Sequence, residues 1–143
     1  MTIAAILKQK GNAVAEIAPT ALISDVAALL SERRIGAVLV RDTAQQLMGI
    51  VSERDIVHGL ARHGAASLQM TAGQLMTRNL QTATPRTTVP EAMALMTTGR
   101  FRHLPVIEDG AVVGVISIGD VVKSRMEQQA QEVDSLKAYV AGA

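Results

Sequence analysis

A mixed α/β (α+β) fold made of one β-α-β-β-α unit written twice is the architecture this sequence predicts, and three features of the chain carry that reading. The run Gly49-Ile50-Val51-Ser52-Glu53-Arg54-Asp55-Ile56-Val57 returns as Gly114-Val115-Ile116-Ser117-Ile118-Gly119-Asp120-Val121-Val122. Three upstream blocks return in the same order: Ala18-Pro19-Thr20 as Thr84-Pro85-Arg86, Ser24 to Leu30 as Pro90 to Met96, and Val38-Leu39-Val40-Arg41-Asp42 as Pro105-Val106-Ile107-Glu108-Asp109. Their offsets drift between 65 and 67 positions, the mark of small loop differences. Within each copy the apolar pattern also passes from strand to helix and back at matching places.

The elements follow in order. Residues 3 to 9 are expected to form a helix ahead of the first unit. The unit opens with a short strand, Val14 to Ile17, ending before a proline; Leu80 to Ala83 is its counterpart. Ser24 is the expected N-cap of the next helix, with Asp25 in its first turn and Val26, Leu29 and Leu30 on an i, i+3, i+4 apolar face. Ala92, Met93, Leu95 and Met96 form the equivalent face. Two β-rich runs come next: Ala37 to Val40 and Leu47 to Ser52, then Leu104 to Ile107 and Ala111 to Ser117. Asp109-Gly110 between the second pair is a two-residue hairpin signal. A second helix starts at Ser52 or Ser117, and the linker 64–74 is expected to be the least defined part.

The end of the chain, Val121 to Val140, is a long helical pattern with Val122, Met126, Val133, Leu136 and Val140 as its apolar positions. Glu127-Gln128-Gln129 interrupts the stripe, so the tail is expected either to pack on its own domain or to detach and meet a second chain. A unit of roughly 60 residues is small to stand alone. The two are therefore expected to pack sheet to sheet as one pseudo-twofold module over 1–143, with two related clefts. The first motif covers 8–65, the second 75–126, and the C-terminal helical tail 127–143.

Composition narrows the function. The chain has 143 residues, 48% hydrophobic and 19% charged, with a formal net charge of +1. No global field draws it to nucleic acid or anionic lipid. Its aromatic residues are one Phe and one Tyr, Phe101 and Tyr139, too few for the base-stacking platforms of single-strand binders. Cysteine is absent, which excludes disulfides and thiolate metal sites. No signal peptide and no apolar run near the roughly 20 residues of a membrane span is visible. The expectation is a soluble, cytoplasmic protein with no nucleic-acid or membrane partner.

Gly-x-x-Ser-x-x-Asp at a strand-to-helix junction carries the chemistry, and it occurs twice. As a purely structural feature it is a helix cap: serine caps and aspartate favours the positive helix end. A capping box normally uses the longer Glu or Gln at the third position, whereas both copies carry Asp, which favours a ligand role. A carboxylate there can accept two hydrogen bonds from a ribose diol, and the serine hydroxyl and free helix N–H groups can hold a sugar or phosphate oxygen. Val51 and Ile116, just before the serines, could cover a purine face.

The chain resembles a stand-alone tandem pair of CBS domains over roughly residues 5 to 125. The resemblance is carried by the two β-α-β-β-α units, the paired Gly-h-h-Ser-x-x-Asp motifs and the run Arg102-His103-Leu104-Pro105-Val106. It implies a flat pseudo-symmetric module that forms a homodimer, binds adenosine-containing ligands (AMP, ADP, ATP, NAD or S-adenosylmethionine) and regulates rather than catalyses. It places the ribose on Asp55 and Asp120, with Ser52 and Ser117 beside them. Ile17, Ala83, Leu104 and Pro105 complete the candidate ligand-binding set.

The copies are not identical. Arg102-His103-Leu104-Pro105 is aligned with Ile35-Gly36-Ala37-Val38, and Arg54 with Gly119. Phosphate contacts are therefore expected from Arg54, Arg102 and His103, with one cleft stronger for phosphorylated ligands. No P-loop, dinucleotide fingerprint or nucleophile elbow is present. His58 and His63 stand about 140° apart on a helix and share no metal-binding face. The expected function is a regulatory module sensing AMP, ATP or NAD(H), with no obligatory cofactor, no metal and no catalytic residues, acting in trans on another protein. A structural dimerisation module with vestigial clefts is the alternative; an enzyme acting on nucleotides is weaker, since no nucleophile or general base stands out.

Overall fold

The computed structural model describes residues 1–142. The chain forms two compact units, and they do not follow sequence order. Met1–Asn12 belongs with the second copy, from Gln81 onward, while Ala13–Leu80 makes up the first. Each copy is thus completed by the segment that precedes the other. The same backbone bonds recur in both. Ile23 N donates to Met70 O, Ala72 N to Ala21 O and Gly73 N to Pro19 O; Val89 N donates to Met1 O, Ile3 N to Thr87 O and Ala4 N to Pro85 O.

In the first copy, β1 (Glu16–Ile17) lies parallel to β2 (Ala37–Arg41), which pairs antiparallel with β3 (Leu47–Ser52). α2 (Ile23–Arg33) and α3 (Glu53–His63) are its helices. The core joins Ile23, Val26 and Leu30 to Val38, Val40, Val51 and Ile56. The expected Ser24 cap does not form. Leu22 occupies the N-cap without a side-chain bond, and it bridges Thr71 in the linker. Backbone pairing with the linker and burial of Ile23 set the helix start, so Ser24 falls past the cap, at the second residue of the helix. The linker is also better ordered than expected: residues Gly64–Gln69 form a 3-10 turn, and α4 (Ala72–Leu75) carries a Thr71/Gln74 capping box.

The second copy contains α1 (Ile3–Lys10), α5 (Val89–Gly99), the hairpin β4 (His103–Glu108) and β5 (Ala111–Ser117), and α6 (Ile118–Gly142). Asp109 and Gly110 both take positive φ, 50° and 77°, as the two-residue turn requires. Its core joins Ile3, Ile6 and Leu7 to Val89, Ala92, Met96, Leu104, Val106 and Ile116. The expected strand Leu80 to Ala83 shrinks to a single parallel bridge, Ala83 with Val106. Proline causes this. In the first copy Leu39 N donates to Ala15 O, extending the ladder; its structural equivalent is Pro105, which has no N–H.

Strand register corrects the repeat alignment. Val51 pairs with Val38 and Ile116 with Leu104; Gly36 O accepts from Glu53 N and Arg102 O from Ile118 N. The equivalents of Arg102, His103, Leu104 and Pro105 are therefore Gly36, Ala37, Val38 and Leu39, one position from the sequence alignment. The second helix of this copy and the tail are one continuous helix, α6. Among the described residues, no helix is long and apolar enough to cross a membrane, and no group of three His, Cys, Asp or Glu side chains could hold a metal ion.

Candidate functional site

Each motif sits where a buried strand end hands over to a helix. In the first copy Val51 is fully buried and Ser52 caps α3. Asp55 N donates to Ser52 Oγ at 3.3 Å, and Asp55 Oδ2 accepts from Ser52 N at 2.8 Å and from Ser52 Oγ at 3.0 Å. Asp55 Oδ1 accepts from Thr77 Oγ1 at 2.8 Å. In the second copy Asp120 N donates to Ser117 Oγ at 3.1 Å, and Asp120 Oδ2 accepts from Ser117 N at 2.9 Å. Lys10 Nζ then donates to the same Oδ2 at 2.6 Å and to Val115 O at 2.8 Å. The reciprocal bonds of a capping box exist in both copies with Asp in place of the usual Glu or Gln, so the choice of aspartate does not by itself favour a ligand role over a cap.

The motif glycines explain how Thr77 and Lys10 arrive. A Cβ on Gly49 would lie 2.6 Å from Thr77 O and 2.8 Å from Met76 Sδ; one on Gly114 would lie 2.6 Å from Leu7 Cδ2. The bare glycine lets the segment that precedes the other copy lie against the strand. Ile50 and Thr77 exchange backbone bonds of 3.1 and 2.8 Å there.

Several candidate residues sit elsewhere. Val51, Ile116 and Leu104 have no exposed surface, and Ala83 and Pro105 are also buried. Val51, Ile116, Leu104 and Ala83 belong to the cores of their own units and offer no face to a purine, contrary to expectation; Pro105, next to Leu104, falls on the other face of β4 and lies outside that core. Ile17 lines a cavity of about 400 Å³ with Pro19, Thr20, Arg41 and Asp42, and neither Ser52 nor Asp55 is part of its wall.

The cationic candidates fall unevenly. His103 stands opposite Ser117 in the β4–β5 ladder, where the first copy has Ala37 opposite Ser52. Arg102 is exposed at the adjoining strand start, and its carbonyl accepts from the first residue of α6. With Lys10, the Ser117/Asp120 seat has three basic side chains on its flanking segments. The Ser52/Asp55 seat has the neutral Thr77 and, in the first turn of α3, the exposed Arg54.

Lys10 and Thr77 were not legible as site residues. One signal points to the segments just before them, though not to the residues themselves: Met1-Thr2-Ile3-Ala4-Ala5-Ile6-Leu7 matches Met70-Thr71-Ala72-Gly73-Gln74-Leu75-Met76, a fifth repeated block at an offset of 69.

Burial raises the Asp120 carboxyl, but the Lys10 ammonium and the Ser117 amide outweigh it and hold the group below its ordinary range. A depressed folded-state value stabilises the fold above the unfolded value and loses that contribution as pH falls through the folded one. Lys10→Met is therefore expected to be less stable than the parent at neutral pH, by at most about 1 kcal/mol for so exposed a pair. The gap closes below about pH 4. Melting temperatures across this range test it; a gap independent of pH would assign Lys10 a packing role only.

Comparison with known proteins identifies the family and the fold. The CBS domain family matches residues 13–62 and 72–127. A mitochondrial CBS domain-containing protein of Arabidopsis thaliana is 37% identical over 124 residues, covering 84% of this chain and 60% of its own length. The chain thus spans less than two thirds of that relative. The crystal structure of a CBS-domain containing protein from Agrobacterium tumefaciens is 43% identical, with a TM-score of 0.85 over 87% of this chain and 92% of that one. A CBS domain protein from Pyrobaculum aerophilum, complexed with AMP, is 26% identical, with a TM-score of 0.73 over 84% of this chain and 89% of its own. With two family matches and the same tandem fold, the chain belongs to the CBS domain family and carries a pair of CBS repeats.

Proposed function

We propose that the chain is a regulatory, non-catalytic module that binds an adenosine-containing ligand of the AMP, ATP or NAD(H) type at the Ser52/Asp55 and Ser117/Asp120 seats. One observation carries the reading: the same partly buried carboxylate recurs at two strand-to-helix junctions, beside helix N-termini suited to sugar and phosphate oxygens. The AMP held by the Pyrobaculum aerophilum relative supports an adenosine nucleotide over other ribosides. A ribose diol would take over hydrogen bonds that Thr77 or Lys10 makes to the aspartates, which links ligand binding to the segments completing each copy. The module pairs with a second copy and passes its ligand state to a separate protein. It acts in the cytoplasm, in keeping with a chain that has no cysteine.

The second reading is a structural module with vestigial seats. It is favoured by the capping boxes, which give Ser52, Asp55, Ser117 and Asp120 a folding role without any ligand.

Thermal unfolding with AMP, ATP, NAD, NADH and S-adenosylmethionine separates the two. A ligand at 100 times its dissociation constant adds about 2.7 kcal/mol. No shift with any of them would leave only the structural reading, and nucleotide turnover over hours would overturn the non-catalytic assignment.

A further inference from the structure

α6 is 25 residues long, about 37 Å at the usual helical rise. Only its first turns are tied to the core, through Val121 and Ser124. From Gln129 to Gly142 every residue is exposed. Along it run Val122, Met126, Gln129, Val133, Leu136 and Val140, at spacings of four, three, four, three and four. The apolar members are exposed, Met126 and Leu136 by 64% each. That alternation is the 3.5-residue period of a left-handed coiled coil, and it continues through Gln129 rather than breaking there.

The flanking positions decide the occupant. Lys123, Ala130 and Lys137 lie along one side of the seam, and Arg125, Glu132 and Tyr139 along the other. In a parallel pair of identical helices, Glu132 meets Lys137 of the partner subunit, and symmetry makes the pair twice. Arg125 meets Ala130 of the partner subunit, so no like charges oppose. An antiparallel pair would set Lys123 against Lys137 of the partner subunit and Glu132 against Glu132 of the partner subunit, two like-charge contacts. Gln129, at a d position, would meet its own copy across the parallel seam, where each side-chain amide can both donate to and accept from the other.

We propose that the exposed heptad face of α6 is the docking surface for a second copy of this chain, in a parallel two-stranded coiled coil over Val122 to Val140. The inference rests on the reading of a module that pairs with itself, and it names the surface.

Sedimentation equilibrium of the full chain tests both. The expected result is a dimer that Val133→Asp weakens by about tenfold or more, because an unpaired charge enters the seam. Glu132→Lys also weakens it, and adding Lys137→Glu restores it. The chain has no cysteine, so the thiol of Val140→Cys reports on one position alone. It cross-links two copies of a parallel coil, whereas an antiparallel one holds these positions about 27 Å apart. Unchanged far-ultraviolet dichroism in each variant confirms folding. A dimer indifferent to Val133→Asp and without the cross-link would overturn the coiled coil while leaving self-pairing intact. A monomer at concentrations on the order of 100 µM would overturn both.

Discussion

Alanine at position 49 is expected to destabilise the first copy by about 3 kcal/mol, the upper end of the range for overpacking. Alanine at the equivalent position 114 costs the second copy about 1 kcal/mol, at the lower end. The difference lies in what each new methyl meets. At Gly49 it would stand 2.6 Å from the Thr77 carbonyl oxygen, an atom already accepting from Ile50 N. That oxygen can move only by breaking the bridge that holds the linker against β3. At Gly114 the nearest atoms are the two terminal methyls of Leu7, 2.6 and 3.3 Å away, which can rotate within the core. Urea unfolding of the two variants checks the order. Equal losses, or a larger loss at Gly114, would show that the motif glycine is not there to admit the Thr77 backbone. Displacing Thr77 also removes its bond to Asp55, so Gly49→Ala should disturb the first seat as well as the fold.

This coupling marks the boundary of what the sequence made legible. Both motifs, both pairs of adjacent strands, the motif serines Ser52 and Ser117 as caps and the long final helix follow from local spacing, and each appears where expected because its causes lie within a few residues. Asp109-Gly110 adopts a turn that its own backbone preferences dictate. What local reasoning missed depends on partners far along the chain. Leu22, not Ser24, begins α2 because residue 71 pairs with it. The strand before Ala83 is lost because Pro105, over twenty residues on, withholds an N–H. Lys10 reaches Asp120 across 110 positions because the first helix completes the second copy. Val51 and Ile116 adjoin the motif serines in sequence but not on the same face of the strand. Strand alternation turns them to the opposite face, into the core.

Asp55→Ala and Asp120→Ala should each lower adenosine-ligand affinity at one seat, by roughly 10- to 100-fold, as loss of hydrogen bonds to a charged group predicts. The two losses should differ in ligand preference. At the second seat Lys10 shares Asp120 Oδ2 with the Ser117 amide. A ribose entering there competes with an ammonium, and the competition is offset only if the ligand brings an anion for Lys10 to follow. AMP or ATP does; uncharged adenosine does not, and S-adenosylmethionine adds a positive charge beside the lysine. At the first seat the displaced group is the hydroxyl of Thr77, which sets no such condition. Titration calorimetry should therefore find that Asp120→Ala removes the site selective for phosphorylated ligands, and that Asp55→Ala removes the more permissive one. Lys10→Met should weaken AMP by about tenfold at the second seat, the loss of one charge-assisted contact, while leaving adenosine as tight or tighter. If both aspartate variants and their double bind AMP as the parent does, the carboxylates serve α3 and α6 as caps and the ligand lies elsewhere. If AMP and adenosine respond alike to Lys10→Met, the second seat binds without using its lysine as a phosphate contact, and the asymmetry between the copies belongs to folding alone.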